Sequence, residues 1–203
     1  MLMQNRGIIS IILIILTILI YKKSRKTILI KIISIMLFVL IIILSSLRIE
    51  NFFICYSSLE TAFNNSGISG DIIKTVDSDK STLIIYTNNK SMGTFLIYKD
   101  NNNWKIPVFG NDIAMKRLYD GSLLMLNKVK NTNNYYVLIS TNNYDCLISD
   151  NKNTCFEQYS LSNNNMFGEL TEKEYVAYVE DISEDYYVKI GDNIFYVLQE
   201  INL

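Results

Sequence analysis

The chain has 203 residues, with 19 basic and 20 acidic side chains, one proline, three cysteines and no histidine. Without histidine, Ser-His-Asp and Cys-His nucleophile sites are excluded and the commonest transition-metal ligand is missing. The near-neutral total hides a division: residues 1–48 hold seven basic and no acidic residues, while residues 49–203 hold 12 basic against 20 acidic, a net of −8, which excludes nucleic acid and other polyanions as favoured partners.

Two apolar runs, 7–21 and 28–47, flank Lys22-Lys23-Ser24-Arg25-Lys26. The second has 20 residues and as a helix would reach about 30 Å, the thickness of a bilayer's hydrocarbon core. The pattern predicts an N-terminal two-helix transmembrane hairpin over residues 1–48, with an uncleaved signal-like anchor as the alternative for the first run. Lys22, Lys23, Arg25, Lys26 and Lys31 lie in or beside the turn, against Arg6 and Arg48 at the far ends. That excess predicts a cytoplasmic turn, a two-pass cell-membrane protein, and residues 49–203 as an extracytoplasmic domain. Lys31 is expected to snorkel to the interface, and neither run holds an acidic residue to form an ion pathway with it. Phe52, Phe53 and Tyr56 read as aromatics at a membrane–water boundary. The abundance of Ile, Asn, Lys and Tyr is the codon bias of an AT-rich genome, and makes a Gram-positive bacterial surface the working context.

The remaining 155 residues suffice for one domain with its own core. Ser57-Ser58-Leu59-Glu60 fits a capping box, with Ser57 as cap and Glu60 reaching back, opening a short helix with Leu59, Ala62 and Phe63 on one face and an end at Gly67. From Asp71 the period becomes alternating. Strands are predicted at 72–76, 82–86, 94–99, 104–108, 113–119, 122–129, 135–140, 144–149, 154–159, 175–179, 186–190 and 194–199. Asp120-Gly121 is a strong hairpin signal, and Pro107 marks an edge or strand end. Residues 82–106, 135–159 and 175–198 each read as three strands with an Asp-Asn turn, at Asp100-Asn101, Asp150-Asn151 and Asp192-Asn193. The predicted fold is therefore the hairpin followed by a mainly antiparallel β domain with one short helix at its start, arranged as a meander in a twisted sheet, small barrel or partial propeller.

Cys146 and Cys155 flank Ser149-Asp150-Asn151-Lys152 symmetrically, so a tight hairpin there would make them a candidate disulfide in an oxidising compartment. Free thiols are the alternative. Tyr135-Tyr136 and Tyr186-Tyr187 place one aromatic on each sheet face and are the candidate contact surface, against the alternative of ordinary packing. Trp104 reads as core. Two acidic groups, Glu169, Glu172 and Glu174, then Glu180, Asp181, Glu184 and Asp185, could bind calcium or cleave sugars, but they lack the spaced ladder of a calcium loop and read as solvated loops. No CxxC pair or phosphate-cradling glycine loop is present. Neither a cofactor nor a metal is implied.

Ser58-Leu59-Glu60-Thr61-Ala62-Phe63, Ile72-Ile73-Lys74, Leu83-Ile84-Ile85-Tyr86 and Trp104-Lys105 together resemble a pattern in uncharacterised exported or membrane-anchored proteins of Gram-positive bacteria, over residues 57–106. The resemblance implies an extracytoplasmic, β-rich domain and brings no site residues. The functional expectation is a membrane-anchored, non-enzymatic interaction or accessory module, its partner the membrane and another envelope or membrane protein. A carboxylate-based hydrolase of envelope polysaccharide is the first alternative. A small immunity or stress-response membrane protein acting through the hairpin is the second.

Overall fold

A strand whose seven side chains are all buried needs packing partners on both faces, and Tyr135–Thr141 has them. The computed structural model describes residues 13–15, 17–19, 21–22, 28–46, 53–88, 91–108, 111–142, 146–160 and 173–201. The chain divides into two compact units, Met1–Ile54 and Cys55–Leu203.

In the first unit, helix α1 runs Ile28–Ser46, 19 residues, and residues 13–15, 17–19, 21 and 22 are also helical. Ile28, Ile32, Ile33, Ile35 and Met36 of α1 are exposed, while Ser34 and Thr17 are buried. The Thr17 hydroxyl returns to the Leu13 carbonyl at 2.8 Å. Among the described residues no helix is long and apolar enough to cross a membrane. This overturns the two-span hairpin, and with it the two-pass placement and the outside assignment of residues 49–203. Charge and length give the reason. Beyond Lys31 the described helix holds only 15 apolar or neutral residues, 32–46, about 22 Å of helix against a core of about 30 Å. Lys23, Arg25, Lys26 and Arg48 lie outside the described residues.

The second unit opens with α2, Leu59–Asn65. Ser58, not Ser57, is its cap, accepting from the Thr61 amide at 3.2 Å, so the expected capping box is displaced by one residue. The expected face is the one that packs: Ala62 and Phe63 are buried, with Leu59 against them. Among the described residues twelve strands follow in three antiparallel sheets. Sheet A is β1 (Asp71–Asp77), β2 (Ser81–Asn88), β3 (Ser91–Asp100) and β4 (Asn103–Lys105) in chain order. Sheet B holds β5 (Ile113–Arg117), β6 (Leu123–Lys128), β7 (Tyr135–Thr141), β9 (Glu157–Ser160) and β10 (Lys173–Val179) in the order β5-β6-β7-β10-β9. Sheet C is β12 (Asn193–Tyr196), β11 (Tyr187–Ile190) and β8 (Ile148–Asp150), and the short helix α3 (Val197–Ile201) follows β12.

Side-chain parity assembles these sheets into layers, because successive residues of a strand point to opposite faces. Leu83, Ile85 and Leu96 of sheet A meet Met125, Tyr136, Leu138 and Val176 of sheet B. The intervening Ile84 and Ile97 face the other way, onto Ala62, Phe63 and Ile106. On sheet B's opposite face, Leu124, Leu126, Val137, Ile139 and Ala177 pack with Val188, Ile190 and Phe195 of sheet C and Val197 of α3. The order of layers is α2, sheet A, sheet B, then sheet C with α3.

Sheet A is the meander expected from sequence, but the threefold repeat is not a structural one. Residues 135–159 divide between sheets B and C, as do residues 175–198. The expected strand at 194–199 ends at Tyr196, where the chain turns helical so that Val197, Leu198 and Ile201 reach the core together. The start of the one expected at 144–149 falls outside the described residues, and its described part pairs at Ile148–Asp150 with β11. The Asp120-Gly121 turn forms as expected: Leu118 and Ser122 pair across it at 2.7 Å, and Gly121 has the left-handed φ of 86° that a Cβ would disfavour. Gly93 serves a close approach instead, since a Cβ there would lie 2.6 Å from the Tyr86 ring.

Tyr136 ties sheet B to the β1–β2 turn. Its hydroxyl donates to the Ser81 carbonyl at 2.9 Å and lies 3.0 and 3.2 Å from the hydroxyls of Ser81 and Ser78. Burial pushes that hydroxyl up to about 12, the two serine contacts offsetting part of the shift. Folding therefore favours the neutral phenol. This contribution is intact below the unfolded value of about 10 and declines as pH rises from there toward about 12. Tyr136→Phe should lower stability by about 1–3 kcal/mol in urea unfolding at neutral pH, and should flatten the decline above about pH 10. Leu126→Ala should cost about 2–5 kcal/mol, whereas Ile194→Ala on an outer face should stay within about 0.5 kcal/mol. Equal losses at Leu126 and Ile194 would refute the layered core.

Candidate interaction surface

Tyr135, Tyr136 and Tyr186 do not form a contact surface. They are 5%, 0% and 0% exposed, which corrects the expectation for all three. The reason is the double-sided packing of sheet B: a tyrosine pair on β7 sends one ring into each core, Tyr135 toward sheet C and Tyr136 toward sheet A. Tyr186 precedes β11 and donates to the Asp150 carboxylate at 2.9 Å. Burial first, and then the Asp150 charge, raise its hydroxyl well above the ordinary tyrosine range. Asp150 also accepts from the backbone amides of Lys152 and Thr154, at 3.1 and 2.7 Å. It is the hub of the turn after β8.

That turn is not the hairpin expected to join Cys146 and Cys155. β8 pairs with β11 and β9 pairs with β10, so the chain leaves one sheet for another between the two cysteines. Cys146 is buried, Cys155 exposed, and all three cysteines are free thiols, which corrects the candidate disulfide. Iodoacetamide on the native protein should label Cys55 and Cys155 rapidly and Cys146 only after denaturation. A native mass lower by two hydrogens would overturn the assignment.

The acidic groups are dispersed. Glu169 and Glu172 lie outside the described residues, and Glu174 is buried on β10. Glu180, Asp181, Glu184 and Asp185 are exposed, and the Lys152 ammonium binds the backbone carbonyls of Glu180 and Asp181. A hydrogen bond from Ser183 holds the Asp185 carboxyl below the ordinary range. Among the described residues no group of three or more His, Cys, Asp or Glu side chains could hold a metal. Trp104 is half-buried, bridged to Tyr56 through both backbone pairs at 2.8 Å, with the Lys99 ammonium 5.3 Å from its ring centre.

Of the four tyrosines expected at a surface, Tyr187 alone reaches one. It stands on the outer face of sheet C opposite Tyr196, their ring centres 5.9 Å apart in an edge-on arrangement. In the next row of that face, Ile194 lies across from Lys189 and Lys189 across from Ser149. Ile194 and Tyr196 are 49% and 43% exposed. Leu147, just before β8, is also exposed, and so is Tyr119, whose ring packs on Phe195 at 5.0 Å. Ile194 and Tyr196 escaped the sequence reading because 194–199 reads as one strand. The signal available was the alternation of Ile194, Phe195 and Tyr196, which sends Phe195 inward and the other two outward.

Among the described residues β12, the outer strand of this sheet, has one ladder neighbour, β11. Other outer strands among the described residues carry guards of the kind that discourage edge pairing. On β5, Lys116 pairs with Glu200 at 3.0 Å. On β1, Lys74 pairs with Glu157 at 2.5 Å, and β4 is covered by the Tyr56 bridge. The sequence of β12, Asn-Ile-Phe-Tyr, contains neither charge nor proline. No family model, curated protein or solved structure matches this chain, so its function has to be argued from its own surfaces.

Proposed function

We propose that residues 55–203 form a non-enzymatic interaction module, and that its contact surface is the outer face of sheet C together with the β12 edge. The occupant is an extended segment of another protein, added alongside β12 so that main-chain hydrogen bonds supply affinity while Ile194, Tyr187 and Tyr196 receive alternate side chains. The observation that carries the reading is the unguarded edge: β12 combines an open ladder side, no charged residue and two exposed apolar side chains on one face. Tyrosine is suited to such a place because its ring contributes contact area and its hydroxyl a hydrogen bond. The excess of acidic over basic residues in 49–203, 20 against 12, favours a neutral or basic segment over an acidic one.

A photo-crosslinking side chain at position 194, introduced in the cell that makes the protein, should yield a discrete heteromeric adduct. The same group at the exposed position 130 should not. Tyr196→Lys should abolish the adduct with unchanged thermal stability, because a charge on an edge strand opposes pairing. Adducts of equal yield from both positions, or none from 194, would overturn the reading.

A further inference from the structure

A second feature, independent of the sheet C surface, lies at one end of sheet B's inner face. Register places Asp112, Lys128 and Tyr135 in one row across β5, β6 and β7. The Lys128 amide donates to the Asp112 carbonyl at 3.0 Å, and Lys128 is the ladder partner of Tyr135. The next row is Ala114, Leu126 and Val137. A cleft of about 430 Å³ opens there, lined by Asn111, Asp112, Ala114, Leu126, Lys128 and Tyr135. That size is within the range of small-molecule sites. The small side chain of Ala114 leaves the floor open and apolar.

The polar groups of this cleft are not satisfied by one another. The half-buried Lys128 ammonium sits 5.7 Å from the Tyr135 ring centre, and among the described residues no carboxylate closes an ion pair with it. Asp112 lies in the same row yet does not reach it. The Asn111 carbonyl oxygen Oδ1 is buried beside the cleft without a hydrogen-bond partner among the described residues. The cleft thus offers one cation and one carboxylate, not paired with each other, above an apolar floor.

We infer that the cleft binds the zwitterion of an α-amino acid, its carboxylate on Lys128, its ammonium on Asp112, and an apolar side chain over Ala114. Competing ligand classes fit less well. A sugar would need an open aromatic face, but Tyr135 is 5% exposed and its ring already lies beneath the lysine. A phosphate-bearing ligand would meet the Asp112 carboxylate with a single cation to offset it.

The test is calorimetric titration and thermal shift of the full chain against the standard L-amino acids at up to about 10 mM, where a bound ligand raises the melting temperature by mass action. Saturable binding of at least one apolar amino acid is expected. Its N-acetyl and amide derivatives, which each remove one charge, should bind at least about tenfold more weakly. Lys128→Met and Asp112→Asn should weaken binding similarly, and Ala114→Phe should block the floor. Each variant is to be compared with the parent for unliganded melting temperature. Asp112→Asn keeps the shape of the side chain and remains decisive if another variant fails to fold. Absence of binding by every amino acid, or equal binding of the N-acetyl and amide forms, would overturn the assignment.

Discussion

The structure of residues 55–203 depends on burying sheet B from both sides. An antiparallel sheet usually keeps one face to water and shows alternating apolar and polar residues. β6 and β7 instead run as Leu-Leu-Met-Leu-Asn-Lys and Tyr-Tyr-Val-Leu-Ile-Ser-Thr, with every side chain buried or half-buried. That arrangement obliges the polar atoms within it to find partners inside the protein, since an unpaired buried group carries its full desolvation cost. Tyr136 finds them at Ser78 and Ser81, and Tyr186 finds Asp150. Tyr136 joins sheet B to the β1–β2 turn of sheet A and helps to align those layers, Tyr186 ties the start of β11 to β8 within sheet C, and the apolar area supplies most of the attraction.

A central sheet covered on both faces moves exposure outward. Sheet A is closed over by α2, whose Ala62 and Phe63 fill the space above Ile84 and Ile97. Among the described residues nothing covers the outer face of sheet C, and Ile194 and Tyr196, with Leu147 just before β8, are exposed. The two candidate sites follow from this layering in different ways. The β12 surface exists because the stack ends there. The cleft at Asp112 and Lys128 lies at the last row of sheet B, where charged side chains stand beside a face that is otherwise core.

Several expectations failed for one shared reason: a local pattern does not state what lies across from it. The symmetric spacing of Cys146 and Cys155 suggests a hairpin, but Ile148–Asp150 is claimed by β11 from much later in the chain. The recurring Asp-Asn turns suggest a repeat, yet the first and third each bend within one sheet while the second carries the chain from sheet C to sheet B. The paired tyrosines suggest one ring inside and one outside, which holds only for a sheet with a solvent face. The apolar N-terminal runs count residues generously, whereas the described helix begins at Ile28 with a lysine one turn in.

Sequence alone determined the change of period at Asp71, the antiparallel strand-rich character of the chain beyond it, the Asp120-Gly121 turn, the apolar face of α2 and the absence of histidine chemistry. These are local properties, set by side-chain branching, backbone freedom and residue type within a few positions. Tertiary structure decided which sheet each strand joined, that Tyr135, Tyr136 and Tyr186 are core while Tyr187 and Tyr196 are surface, that β12 is an edge, and that Asp112, Lys128 and Tyr135 share a row. Those outcomes depend on pairing between segments far apart in the chain, where the burial of one face is settled by the competing demand of every other apolar face for cover.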